Sequence, residues 1–196
     1  MSMNIPVDFS IDDKAASAWL PAVRFGFVSI LVFGLLYPVV ATLAGGLLFP
    51  QQANGSLILR DGKTVGSSLV AQNFVSDRYF QSRPSAANYD PRAMAGSNLA
   101  STNPVLRGRI AESSKAIAIR ENIAANAIPV DMLTTSGSGI DPHISPASAR
   151  VQSARIARVR GLSAAQVQAA IDANTQAPSF GVLGQARVNV LQLNLA

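Results

Sequence analysis

The only histidine of the chain, His143, stands two residues from an acid in Ile140-Asp141-Pro142-His143-Ile144-Ser145-Pro146. A carboxylate that orients an imidazole toward a hydroxyl is the arrangement of acyl transfer. Ser136 and Ser138, in the preceding Ser136-Gly137-Ser138-Gly139, are the serines it would use. The pattern argues against that chemistry. A proline separates the acid from the histidine, another follows three residues later, and the serine run is not a Gly-x-Ser-x-Gly elbow. Prolines this close to the pair fit a rigid docking loop better. Zinc fares no better, because the chain has no cysteine and one histidine, far short of a four-ligand set.

Two further constellations bear on binding. Leu162-Ser163-Ala164-Ala165-Gln166 resembles the L-S-G-G-Q signature of ABC transporters, where glycines let backbone approach a terminal phosphate at a helix N-terminus. Leu162, Ser163 and Gln166 are therefore candidate nucleotide contacts. Both glycines are alanine here, however, and Ser163 with Gln166 makes a capping box that needs no ligand. Tyr79, Phe80, Arg83 and Tyr89 concentrate aromatic and basic anchors in a turn-rich stretch. With Asp141 and His143 they are candidate partner-interface residues. The plainer alternative puts Phe74 and Phe80 in a core and the rest in a loop. Arg150, Arg155 and Arg158 fall on one side of a helical wheel, which most simply makes a solvated face.

The elements that position these residues follow from local signals. Asp61-Gly62 between the apolar runs 56–59 and 64–70 predicts a hairpin, since both central residues accept positive φ. Residues 81–103, rich in Pro, Ser, Asn and Gly, read as a long loop. Asn103-Pro104 opens a helix with Ile110, Ser113, Ser114, Ile117 and Glu121 at helical spacing, and Pro129 is expected to end it. Ser145-Pro146 opens a second helix that closes at Gly161. Ser163 opens a third, with Val167, Ala170 and Ile171 on one face. Residues 188–195 read as a closing strand whose alternation slips phase at Val190-Leu191, suggesting a bulge.

Upstream lies the feature that sets the class. From Phe25 to Leu59 there is no charged residue, and Phe25–Phe49 is almost continuously apolar. A bilayer core needs roughly 20 helical residues, whereas a secretory signal has an apolar core of about 7–15. A retained membrane anchor is the reading. Pro38 would kink the helix, and Gly34, Gly45 and Gly46 would let another helix pack closely. Lys14 and Arg24 precede the span and Arg60 and Lys63 follow it. The count is even, and only the closeness of Arg24 to the apolar run leans the N-terminus toward the cytoplasm.

The organisation is a tail over 1–23, a transmembrane helix over 24–50, and a single α+β domain over 51–196. Net charge is +5, and the excess lies after the span, which holds all of the basic residues but Lys14 and Arg24. Acidic partners are favoured at long range. Nucleic acid is not expected of a domain with so few aromatics on the far side of a membrane.

Several runs resemble one family: Tyr79-Phe80-Gln81-Ser82-Arg83-Pro84-Ser85, Thr102-Asn103-Pro104, Arg160-Gly161-Leu162, and 136–146 with its Ser-Gly-Ile-Asp-Pro-His-Ile-Ser-Pro. They are similar to the C subunit of the bacterial Kdp-type potassium-transporting ATPase, over about residues 20–196. The resemblance implies a single-pass inner-membrane protein with a periplasmic α+β domain. It implies a complex with a channel-like potassium-binding subunit, a P-type ATPase subunit and a small single-helix subunit. The role implied is accessory and non-catalytic: assembly of the complex, and a chaperone-like effect on the ATP affinity of the ATPase subunit. No cofactor is expected on this chain, ATP being held by the ATPase subunit. The alternative function is a membrane-anchored periplasmic enzyme or ligand-binding module.

Overall fold

Trp19–Leu48 forms one continuous helix, α1, with Arg24 its sole charge. At about 1.5 Å per residue its 30 residues exceed a 30 Å hydrocarbon core, and by length and composition it can cross a membrane. The computed structural model describes residues 19–196; residues 1–18 of the expected tail lie outside them, and its residues 19–23 belong to α1. The helix begins before the apolar run itself. Its middle, Ile30–Leu36, is wound as a π-helix, and the Tyr37 N–H donates to the Val32 carbonyl five residues back. Pro38 follows at the second position of the next α-helical stretch, Tyr37–Leu48, where its missing N–H sits beside the widened turn. One turn, α2 (Pro50–Ala53), succeeds it. The chain divides into two units at Asn54/Gly55, and each is described by itself.

The second unit opens with an antiparallel hairpin, β1 (Leu57–Arg60) and β2 (Lys63–Ser67), in which Arg60 faces Lys63. Asp61 and Gly62 take φ of 51° and 74°, as the Asp-Gly signal requires. Helix α3 (Pro104–Glu121) is capped by the Asn103 side chain. It ends well before Pro129, because Asn122 adopts the left-handed conformation and returns its N–H to the Ala118 carbonyl. Strand β3 (His143–Ile144) leads into α4 (Pro146–Arg160), capped by Ser145 and closed by left-handed Gly161. The capping box of Ser163 and Gln166 is present at the start of α5 (Ala164–Ala173).

Strands β4 (Thr175–Gln176) and β5 (Arg187–Asn189) complete a three-stranded antiparallel sheet with β5 in the middle. The closing strand expected over 188–195 is instead β5 followed by a short helix, α6 (Val190–Leu195). The phase slip at Val190-Leu191 marks a helix start, and Asn189 caps it by accepting the Gln192 N–H at 3.1 Å.

The core gathers Phe80, Ile144, Ile156, Val167, Ile171, Val188, Val190 and Leu193, so the sheet, α4, α5 and α6 share one cluster with Phe80, which comes from the irregular stretch between β2 and α3. A smaller cluster of Ile117, Ile128 and Met132 packs under α3.

Candidate functional site

Residues 77–81 have no regular strand partner, yet side chains satisfy their backbone one residue after another. The Asn194 amide both accepts the Phe80 N–H at 2.7 Å and donates to the Phe80 carbonyl at 2.9 Å. Gln152 does the same for Gln81, at 2.7 and 3.2 Å. Arg155 donates to the carbonyls of Asp77 and Tyr79. Arg160 donates to that of Arg78 at 2.8 Å, with its guanidinium 5.9 Å from the Tyr79 ring centre. Two helices thus supply a surrogate strand edge from side chains, and Phe80 is driven into the core behind it.

Arg155 holds its charge inside this network. Its side chain is 2% exposed and its Nε lies 3.0 Å from a Glu121 carboxylate that is fully buried. The expectation of a solvated arginine face on α4 therefore fails at Arg155, while Arg150 and Arg158 are exposed. The physical reason is that Glu121 offers a buried counter-charge and the 77–81 loop offers the remaining acceptors.

The two motif runs meet at a second point. Ser85 Oγ donates to the Gly139 carbonyl at 2.6 Å, and the Ser136 N–H donates to the Pro84 carbonyl at 3.3 Å. Gly139 has φ +73°, and a Cβ there would sit 2.7 Å from both Ala87 and the Ala95 carbonyl, so this crossing tolerates no side chain. Beside it Arg83 reaches Asp141 at 3.3 Å, and Asp141 accepts the His143 N–H at 3.0 Å with the imidazole Nδ1 3.4 Å away. Burial raises the Asp141 pKa, but the hydrogen bonds from the His143 side chain and backbone and the Arg83 charge outweigh it. The net position is below the usual carboxylate value. The Tyr89 hydroxyl donates to the Arg83 carbonyl at 2.8 Å, and burial raises its pKa, keeping it a donor at neutral pH.

Arg83, Asp141 and His143 line an open cleft of about 490 Å³, together with Asp131, Gln185 and Arg187. Asp131 is already committed, accepting from the Ser145 N–H at 2.8 Å and from the Ser148 hydroxyl at 2.7 Å. The cleft therefore offers charges of both signs, each partly satisfied within the chain.

Of the six interface candidates, Arg83, Asp141 and His143 come together in this cleft. Tyr89 supports Arg83 from behind, and Tyr79 lies apart, stacked near Arg160. Phe80 is 2% exposed and offers a partner no side-chain surface. No serine is hydrogen-bonded to His143 among the described residues: Ser136 is buried, and Ser138 accepts the Ile140 N–H. At the nucleotide candidates, Ser163 Oγ accepts the Gln166 N–H at 3.2 Å and Gln166 Oε1 accepts the Ser163 N–H at 2.9 Å. Leu162 is partly exposed beside them. In α1, a Cβ on Gly45 or Gly46 would meet nothing within 4 Å, and one on Gly34 would meet only Ile30, so these positions are open. The Glu121–Arg155 pair and the amides of Gln152 and Asn194 were not singled out as functional in the sequence. Glu121, in phase with Ile117 on the inward face of α3, was the available signal.

A family model described as KdpC, K+-transporting ATPase, c chain, matches residues 19–196. The potassium-transporting ATPase KdpC subunit of Xanthomonas campestris pv. campestris (strain B100) is 51% identical over 196 residues, covering 100% of this chain and 91% of that protein. The subunit of the same name from Shewanella putrefaciens CN-32 is 51% identical over 173 residues, 88% of this chain and 87% of the relative. That of Methylococcus capsulatus is 49% identical over 181 residues, 90% and 94% respectively. With the match running through the apolar helix, the 77–81 segment and the cleft alike, the chain belongs to the KdpC family, the c chain of potassium-transporting ATPases.

Proposed function

We propose that the chain is a non-catalytic accessory subunit of an ATP-driven potassium-import complex in the bacterial inner membrane. It crosses the membrane once through α1, carries its α+β domain in the periplasm, and supports assembly and stability of the complex. Its partners are the channel-like potassium-binding subunit, the P-type ATPase subunit and the small single-helix subunit. The observation that carries this reading is the match to the KdpC family over residues 19–196, through a helix long and apolar enough to cross a membrane and on into the α+β domain. The residues of the motif runs spend their polar groups on holding their own backbone. What they build is a rigid, mixed-charge surface suited to docking.

In α1 the open glycines Gly34, Gly45 and Gly46, with the π-turn that accommodates Pro38, suit close packing against other membrane helices. Direct contact of ATP with Leu162, Ser163 and Gln166 is not part of the reading, since the capping box already uses the polar groups of Ser163 and Gln166. A chaperone-like effect on ATP affinity instead acts at a distance. A docking preference of about 1.4 kcal/mol between two transport states shifts an affinity tenfold.

The test removes residues 55–196 and co-expresses the remainder with the partner subunits. Recovery of the intact complex and potassium-stimulated ATP hydrolysis are both expected to fall; unchanged assembly and hydrolysis would refute the proposal. A membrane-anchored enzyme built on Asp141 and His143 would require His143→Ala to abolish a reaction of the full chain on its own.

A further inference from the structure

Between β4 and β5 the chain turns through Pro178-Ser179-Phe180-Gly181-Val182-Leu183-Gly184. Four backbone hydrogen bonds close this turn: Ser179 and Leu183 exchange a pair at 2.9 Å, Gly181 donates to Pro178 at 3.0 Å and Val182 to Ser179 at 3.2 Å. A turn so well tied could hide its apolar residues against the sheet. It does the reverse. Phe180 is 94% exposed, Val182 80% and Leu183 60%. Phe180 also sits at φ 55°, a left-handed conformation that an aromatic residue adopts only against a steric penalty and that glycine would adopt freely. Exposure and backbone strain fall on one side chain, and neither contributes to the stability of this domain. Such outliers point to a use elsewhere.

We infer that Pro178–Gly184 is a docking finger whose Phe180, Val182 and Leu183 seat in an apolar pocket of a partner subunit of the complex. The inference rests on the reading of this chain as an accessory docking subunit. Two observations select a protein partner over a lipid surface. First, no residue from Ala173 to Ala186 is charged, so the finger lacks the lysines and arginines that hold interfacial segments on anionic bilayers. Second, the finger runs directly into Gln185 and Arg187, which line the cleft of Arg83, Asp131, Asp141 and His143. That cleft sets two carboxylates beside its two arginines, so it presents no excess of positive charge to an anionic membrane. An apolar knob beside a polar surface of both signs has the composition of a protein interface, with apolar centre and polar rim. Phe180 alone would bury on the order of 150–250 Å² there.

The experiment places p-benzoylphenylalanine at position 180 of the full chain, within cells making the whole complex, and irradiates. One dominant adduct with a partner subunit is expected. Adducts with lipid, adducts with a second copy of this chain, or no protein adduct while the complex assembles would each overturn the inference. In parallel, Phe180→Gly is expected to leave the Tm of the free full chain unchanged or raised, because glycine suits the positive φ. It should weaken association of the chain with the complex by about 30-fold, the size of an aromatic anchor. Unweakened association would remove the finger from the account. If removal of residues 55–196 abolishes assembly while Phe180→Gly does not, the finger fails and the accessory role stands; if neither affects assembly, both fail.

Discussion

Replacing Glu121 with alanine tests the least expected feature of the domain. In the native chain Arg155 has its Nε 3.1 and 3.0 Å from the two Glu121 carboxylate oxygens, and both side chains are buried. The same guanidinium binds the Asp77 and Tyr79 carbonyls and the Gln152 side chain. Glu121→Ala leaves an intact positive charge in a dry interior with its counter-ion removed. Such losses cost about 3–5 kcal/mol, against a total of about 5–15 kcal/mol for a domain. In a domain of this size that corresponds to a fall in Tm of roughly 10–20 °C. The assay is thermal unfolding of the full chain in detergent, followed by circular dichroism. Because Arg155 organises residues 77–81, amide exchange at Phe80 and Gln81 should accelerate in the same variant. The double change Glu121→Ala with Arg155→Met should recover part of the loss, since it removes the stranded charge although the Asp77 and Tyr79 carbonyls lose a donor. A Glu121→Ala protein within about 0.5 kcal/mol of the native chain, the scatter of ordinary surface substitutions, would refute the claim that this pair is desolvated and necessary.

Asn194→Ala strands the N–H and carbonyl of buried Phe80, which are held at 2.7 and 2.9 Å, and should cost about 2–4 kcal/mol in urea unfolding. Asp141→Asn should destabilise most at neutral pH. The native Asp141 pKa is lowered, so its stabilisation is complete above the unfolded value of about 4 and disappears as pH falls through the native one; a gap independent of pH down to 2 would contradict this. Ser163→Ala should lose a cap worth about 1 kcal/mol and leave the KM of the complex for ATP unchanged; a raised KM would restore the nucleotide reading. Gly139→Ala should disorder the crossing of the two motif runs, because a Cβ would meet Ala87 and the Ala95 carbonyl at 2.7 Å, and it should lower Tm together with recovery of the complex.

Local signals carried far into this fold. The Asp61-Gly62 turn, the caps at Asn103, Ser145 and Ser163, and the left-handed stop at Gly161 all appear where residue chemistry places them, because each is decided within four or five residues. Legibility ended where tertiary partners decide. Arg155 looks like its exposed neighbours Arg150 and Arg158 until Glu121, 34 residues away, is brought beside it. Phe80 reads equally well as anchor or core; its side chain lies in the cluster with Ile144, Ile156 and Leu193, and its backbone is held by Asn194, 114 residues on. The strand expected over 188–195 gives way to a helix after two residues, since Asn189 can cap as readily as it can bridge, and only the packing of Val190 and Leu193 chooses. At the candidate site, the proximity of Asp141 and His143 is evident from sequence and Arg83 stands in the same candidate set, but its ion pair with Asp141, 58 residues on, is not.

The central claim is that this subunit works from outside the membrane by docking, with ATP handled elsewhere. The chain has no cysteine, so Ala165→Cys supplies a single exposed thiol at the start of α5, beside the nucleotide candidates. Intact cells producing the complex are treated with a membrane-impermeant maleimide. Labelling of the introduced thiol before lysis is the outcome this account requires. Labelling only after the inner membrane is breached would place the domain with ATP in the cytoplasm and contradict it.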